Sequence, residues 1–198
     1  MIVELMGLPG SGKSFFAKEL GKESNWTYIS FKNKREVFKY FLLGILNNPI
    51  FFIAGFWFAR KVLTDRYLFW NCYVVKYAKF AAAKRAPTEH AVIDEGAHQN
   101  VISYSRFYEN TDFIKRYFTH CPRPDKLIVL APPNTLLEIR WQKRIEAAHP
   151  TTTTISELQR KKMKTAFSFF LEFAGNCSDV VVCTDKTDNF EIKRIILN

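Results

Sequence analysis

Short apolar runs and amphipathic stretches alternate along the chain. Ile2 to Met6 is apolar apart from Glu4 and stops at Gly7, the pattern of a buried strand ending in a glycine turn. A helix follows from near Lys13 to Gly21. Trp26 to Ser30, Ala91 to Ile93, Leu127 to Ala131 and Val180 to Cys183 are further short apolar runs bounded by polar or turn residues, and each reads as a strand. Runs that are apolar on both faces suit parallel strands covered by helices. Thr135-Leu-Leu-Glu138 and Ser156-Glu-Leu-Gln159 carry the spacing of helix capping boxes. After the second, Met163, Ala166, Phe167, Phe170, Phe173 and Ala174 recur at intervals of three and four and form a core-facing stripe that stops at Gly175-Asn176.

This alternation predicts an α/β, doubly wound domain over residues 1–198, with about five mainly parallel strands and helices on both faces. Ligands are expected beyond the carboxyl ends of the strands. Thr151 to Thr154, directly after His149-Pro150, reads as a mobile connection between two helices. Tyr40 to Ala59 breaks the pattern: twenty residues without a charge, flanked by Lys39 and Arg60-Lys61. Such a length can span a bilayer. Asn47-Asn48-Pro49 at its centre would leave polar amides in hydrocarbon and break the helix, so two shorter helices joined at Asn-Pro fit better. Internal packing is the first expectation for this segment and membrane-surface contact the second.

Composition narrows the partners. The formal net charge of +10 favours polyanions such as nucleotides or anionic headgroups. The basic residues are spread along the chain with no nucleic-acid motif, so nucleic acid is not the expected partner. Aromatics make up 16% of residues, nineteen of them Phe, which implies either broad aromatic packing or a greasy site. Cys72, Cys121, Cys177 and Cys183 show no CxxC spacing and the histidines no ligand-like pairing, which argues against a zinc site. The first residues lack the basic start of a signal peptide. A cytoplasmic protein with reduced cysteines is therefore expected, peripheral at a membrane face if the apolar segment meets lipid.

Gly7-Leu8-Pro9-Gly10-Ser11-Gly12-Lys13-Ser14 matches G-x-x-x-x-G-K-[ST] between an expected strand and helix. In that context backbone N–H groups, from Gly7 through Phe15, wrap a phosphate at a positive helix end. Lys13 reaches the β- and γ-phosphates and Ser14 ligates magnesium. ATP is preferred over GTP because no N-K-x-D is present. Ala91-Val-Ile-Asp94-Glu95-Gly96 is an apolar strand ending in two acids, where Asp94 would serve magnesium opposite the loop serine. If Glu95 activates water the protein is an ATPase; if Asp94 or Glu95 takes a proton from a substrate hydroxyl it is a kinase.

The order of these features resembles the thymidylate-kinase-like, nucleoside-monophosphate-kinase group of P-loop kinases over most of the chain. The phosphate loop, Val92-Ile-Asp94-Glu95-Gly96-Ala-His-Gln99, Pro124-Asp125-Lys-Leu-Ile-Val-Leu130 and the helix Pro133 to Arg144 carry the likeness. The resemblance implies a three-layer P-loop NTPase fold with a helical, apolar insert at about 33–85 and a helical lid at about 140–156. It implies ATP and Mg2+ as cofactors, Arg140 and Arg144 as lid arginines closing on the transferring phosphate, and Gln99 on the acceptor side. The two arginines are four apart and share a helix face. Leu63-Thr-Asp65-Arg66 is similar to the family's Asp-Arg segment, which places Arg66 at the acceptor. Glu95 stands where thymidylate kinases have arginine, and its charge would repel a monophosphate. The acceptor is therefore open: a nucleotide or nucleoside, another small molecule, or a glycan or lipid-linked sugar. The expected function is an ATP- and Mg-dependent phosphotransferase, the alternative a P-loop ATPase or nucleotide switch working with a membrane or protein partner, with oligomeric state open.

Overall fold

A computed structural model describes residues 1–62, 66–106, 110–146, 156–174 and 180–184. Five parallel strands, β1 (Ile2–Gly7), β2 (Trp26–Tyr28), β3 (His90–Ile93), β4 (Lys126–Leu130) and β5 (Val180–Cys183), form one sheet in the order β2-β3-β1-β4-β5. Each lies within two residues of its expected position. Strand β1 is central, and apart from Glu4 its side chains are apolar on both faces. Val3 and Leu5 pack with Phe16, Ala17 and Leu20 of α1 (Lys13–Leu20), while Met6 joins Leu127 and Val129 against the helices of the other face.

That second face is covered by α3 (Pro49–Val62), a π-helical stretch Trp70–Val75, α5 (Lys76–Ala83), α6 (Asn100–Ser105), α7 (Thr111–His120), α8 (Asn134–Glu146) and α9 (Glu157–Ala174). Two further helices, α2 (Lys34–Asn47) and the short α4 (Arg66–Phe69), complete the described elements. The Asn33 side chain caps α2 by accepting from the Glu36 N–H at 3.0 Å, and Glu36 accepts from the Lys32 N–H at 2.9 Å. The long apolar segment is two helices, α2 and α3, bent by 118° at Asn48-Pro49. Proline suits the first turn of α3, where its missing N–H costs nothing. Among the described residues no single helix is long and apolar enough to cross a membrane.

Ser156 and Gln159 make both halves of the expected capping box at the start of α9, each at 3.2 Å. Helix α8 differs: it starts at Asn134, with the Leu137 N–H donating to the Pro133 carbonyl, so Thr135 falls inside the first turn instead of capping it. Met163, Ala166, Phe167 and Phe170 are buried as their stripe requires and Phe173 is half-buried. The Ala174 side chain, Gly175-Asn176, Cys177, His149-Pro150 with Thr151 to Thr154, and Leu63 to Asp65 lie outside the described residues.

The aromatic excess is mostly helix packing. Edge-to-face pairs link Phe41 to Phe52, Phe52 to Tyr77, Phe58 to Tyr117 and Phe118 to Phe173 at ring separations of 5.3, 5.3, 5.3 and 5.4 Å. This layer leaves no room at Gly55 of α3, where an added methyl would run into the Tyr77 ring and hydroxyl. Alanine favours a helix interior by about 1 kcal/mol over glycine, but overpacking a rigid core costs about 1–3 kcal/mol. Gly55→Ala is therefore expected to lower the midpoint of urea unfolding, a net loss of up to about 2 kcal/mol.

Candidate active site

The phosphate loop leaves β1 at Gly7 and enters α1 at Lys13. Gly10 and Gly12 take φ of 91° and 98°, backbone that an L side chain rarely adopts, and this turns successive amides toward one concave side. Lys13 is buried; its ammonium donates to the Gly7 and Leu8 carbonyls at 3.0 and 3.1 Å and lies 3.8 Å from Glu95. Leu8 anchors the loop in the core, while the Phe15 side chain is exposed, so Phe15 can serve a phosphate only through its backbone. The Ser11 hydroxyl is buried without a hydrogen-bond partner among the described residues.

Strand β3 brings Asp94 against the start of α1. Asp94 Oδ2 accepts from the Ser14 hydroxyl at 2.8 Å and from the Tyr28 hydroxyl at 3.1 Å, and Oδ1 accepts from Lys79 of α5 at 2.6 Å. Burial works to raise the Asp94 pKa, but the Lys79 ammonium and the three donors outweigh it and hold the carboxyl below its usual range. Asp94 is thus an ionised, hard oxygen ligand beside a hydroxyl, the donor chemistry magnesium takes. Tyr28 is driven the other way: burial, then the Asp94 charge it donates to, keep the phenol protonated far above its usual range. The cradle of amides, the orphaned Ser11 hydroxyl and the Ser14–Asp94 pair all fit a magnesium-bound phosphate chain.

A second set of contacts fixes the loop from below and above. From below, the Gln99 side chain accepts from the Gly7 N–H at 3.1 Å and donates to the Gly7 carbonyl at 3.0 Å. Its own N–H and that of His98 donate to Glu4, at 3.3 and 2.7 Å, and the His98 ring sits 2.9 Å from the same carboxylate. Glu4 and His98 are fully enclosed. From above, α8 lies on the loop: Arg140 donates to the Gly10 carbonyl at 2.8 Å and the Trp141 indole N–H to the Pro9 carbonyl. Arg160 and Lys164 of α9 flank the Trp141 ring at 5.6 and 5.3 Å.

The structure therefore gathers Lys13, Ser14, Asp94, Glu95 and Arg140 around one loop. Gln99 is placed on the phosphate loop, with both ends of its amide engaged by Gly7, so the acceptor contact expected of it is not where its side chain points. Arg66 opens α4 with an exposed side chain and makes none of these contacts. Arg144 falls on α8 one turn beyond Arg140, but its side chain lies outside the described residues, as does the expected lid connection at 147–155. Sequence reasoning missed Glu4, Tyr28, Lys79 and Trp141. A lone acid inside an apolar strand signalled Glu4, and a lysine inside the apolar run around Phe80 to Ala83 signalled Lys79. Nothing local marked Tyr28 or Trp141.

No protein-family model matches the chain, and no curated protein does. Solved structures do resemble it. A deoxyadenosine kinase from M. mycoides with dCMP and dCDP aligns over 100% of this chain and 97% of its own, with TM-score 0.60 and 16% identity. Thymidylate kinases from Candida albicans and Ehrlichia chaffeensis align over 99% of this chain and 88% and 98% of theirs, with TM-scores of 0.55 and 0.50 and identities of 14% and 12%. The fold is that of the thymidylate-kinase-like P-loop group.

The buried Glu4–His98 pair has a measurable consequence. Burial opposes the imidazolium, but the Cys121 sulfur and the Glu4 carboxylate facing it push the His98 pKa up from 6.5 to about 10. A raised folded pKa gives stability that is complete below 6.5 and is lost as pH rises toward about 10. The unfolding free energy from urea titrations is expected to fall across that interval. Glu4→Gln, which removes the facing charge, makes the fall shallower.

Proposed function

We propose that this chain is an ATP- and Mg-dependent P-loop kinase that moves the γ-phosphate to a nucleoside or nucleotide acceptor. The observation that carries the reading is the 2.8 Å contact between Ser14 and Asp94. It joins the phosphate loop to the acidic strand end in a fold whose similar solved structures are nucleoside and nucleotide kinases. Fold likeness supports this acceptor class by analogy, which is why a nucleoside or nucleotide is preferred here to a glycan or lipid-linked sugar.

In this reading residues 1–198 act as one kinase domain, with about 33–85 as the helical insert and about 140–156 as the lid. The loop amides and Lys13 bind the β- and γ-phosphates. Held by Ser14 and Asp94, magnesium would supply charge neutralisation on those phosphates. Lys79 and Tyr28 keep Asp94 ionised and oriented, so Asp94 is a poor proton acceptor. Glu95, half exposed and 3.8 Å from Lys13, is the carboxylate that takes the proton when the acceptor is a hydroxyl. The acceptor oxygen bonds to the γ-phosphorus as its proton passes to Glu95, and the bond to ADP breaks with ADP as leaving group. Arg140 and Arg144 stabilise charge on the transferring group as the lid closes. Arg66 is assigned to the acceptor side, and Gln99 holds the loop.

The position of Glu95 also favours a second reading, in which it orients water and the protein is an ATPase or nucleotide switch. ADP release from ATP and magnesium separates the two when measured with pooled nucleosides, nucleoside monophosphates, sugars, or no acceptor. A kinase gives release that rises with the nucleoside or monophosphate pool and drops by about 10²-fold or more in Lys13→Ala. Equal release with every pool and with none establishes the ATPase, and a rise with sugars alone moves the acceptor to that class.

A further inference from the structure

Hydrophobic side chains on α2 and α3 divide between two destinations. Val37 and Gly44 of α2, and Phe52, Gly55, Ala59 and Val62 of α3, face inward. Their neighbours on the outer face do not. Phe38, Leu42 and Leu46 repeat at intervals of four along α2, and Ile50, Ile53 and Trp57 at three and four along α3. All six are exposed, most strongly Leu46 at 79% and Ile50 at 77%, on either side of the Asn48-Pro49 break. The two stripes thus converge on the apex of a bent helix pair. Scattered exposed leucines are ordinary on soluble proteins; a ridge continuous over two helices is not.

Cations outnumber acids around this ridge. Between Glu36 and Asp65 the sequence holds no acid, while Lys39 lies on α2 and Arg60 and Lys61 close α3. Beside Trp57 a cleft of about 640 Å³ is lined by Arg60, Lys61 and Arg116, with Phe58 and Phe113 as apolar walls and Asp112 as its one acid. An apolar apex, an indole beside it and cations at the far end of the same helix match the layering of a bilayer interface: acyl chains, then the aromatic belt, then anionic phosphates.

We propose that the α2–α3 pair is a membrane-surface anchor, which seats Leu46, Ile50 and Ile53 among the acyl chains of an anionic bilayer, with Trp57 at the interface above them, while Arg60, Lys61 and Arg116 meet lipid phosphates. Charge complementarity selects this occupant over a second copy of the chain. Two copies of formal charge +10 repel, whereas an anionic headgroup layer attracts each of them. The anchor holds the chain at the surface without crossing it, since the 118° break divides the apolar run into two helices of 14 residues, each shorter than the roughly 20 a span needs. It stands apart from the phosphate loop and holds whether the loop serves a kinase or an ATPase.

The test is flotation of the full chain with phosphatidylcholine vesicles, with and without about 30 mol% phosphatidylglycerol, at about 0.1 and 0.5 M salt. The wild type is expected to float with the anionic vesicles only, less at high salt, with a blue shift of tryptophan emission on binding. Ile50→Asp/Trp57→Asp and Arg60→Gln/Lys61→Gln are each expected to bind at least about tenfold more weakly. Both pairs are exposed or line the open cleft, and circular dichroism with urea unfolding verifies that the variants fold. Three results overturn the proposal. The wild type fails to float; or Ile50→Asp/Trp57→Asp floats as well as the wild type, leaving only the overall charge; or sedimentation shows a wild-type dimer that this variant abolishes while vesicles stay unbound.

Discussion

The arrangement rests on a carboxylate buried in the middle of the sheet. Glu4 occupies the central strand, where a lone charge would be prohibitive in an apolar interior. It is tolerated because two backbone N–H groups and an imidazole converge on it from the segment that follows Asp94 and Glu95. Gly96 is required beside it, since a Cβ there would lie 2.5 Å from the Glu4 carboxyl carbon. The same segment ends in Gln99, which holds Gly7 by both its amide and its carbonyl. One buried anion thereby sets the distance between the phosphate loop and the acidic strand end. A mutually satisfied network of this kind is rigid because any member that leaves exposes the others unpaired.

On that base the site is built from opposed charges at short range. Asp94 takes three donors from three elements: Ser14 from α1, Tyr28 from β2 and Lys79 from α5. It is therefore both a fixed point of the fold and, with Glu95, the acidic side of a site whose cations are Lys13, Lys79 and Arg140. The roof is supplied by α8, whose adjacent Arg140 and Trp141 hold the carbonyls of adjacent loop residues. Because Arg160 and Lys164 of α9 both lie over the Trp141 ring, α8 and α9 are both tied to the loop.

The aromatic content serves two ends of one helical layer. Inward, Phe52 of α3 packs edge to face on Tyr77, which Tyr73 meets at a tilt, and the π-helical turn brings Cys72, Tyr73 and Val74 inward in succession. The wider π turn also aims the Tyr73 hydroxyl at the Phe52 carbonyl, 2.6 Å away, pinning α3 to the next helix. Outward, α2 and α3 keep an apolar ridge that no described element covers. The insert is thus a structural wall on one side and an unpartnered surface on the other.

The sequence by itself determined the strands, the phosphate loop with its lysine and serine, the acidic strand end, and the break at Asn48-Pro49. Each is written in neighbouring residues: apolar runs, glycines at fixed intervals, an Asn-Pro in a charge-free stretch. It also carried the likeness to thymidylate-kinase-like proteins, which the fold bears out. Only the tertiary structure decided that Gln99 faces Gly7, that Lys79 and Tyr28 converge on Asp94, that Trp141 roofs the loop, and that Thr135 sits inside its helix. These depend on contacts between residues some 15 to 132 positions apart, or on where a neighbouring proline lets a helix begin. Periodicity records which face of an element is buried, but not which side chain across the core it will meet. That partner is set by strand order and helix packing, which no local pattern encodes.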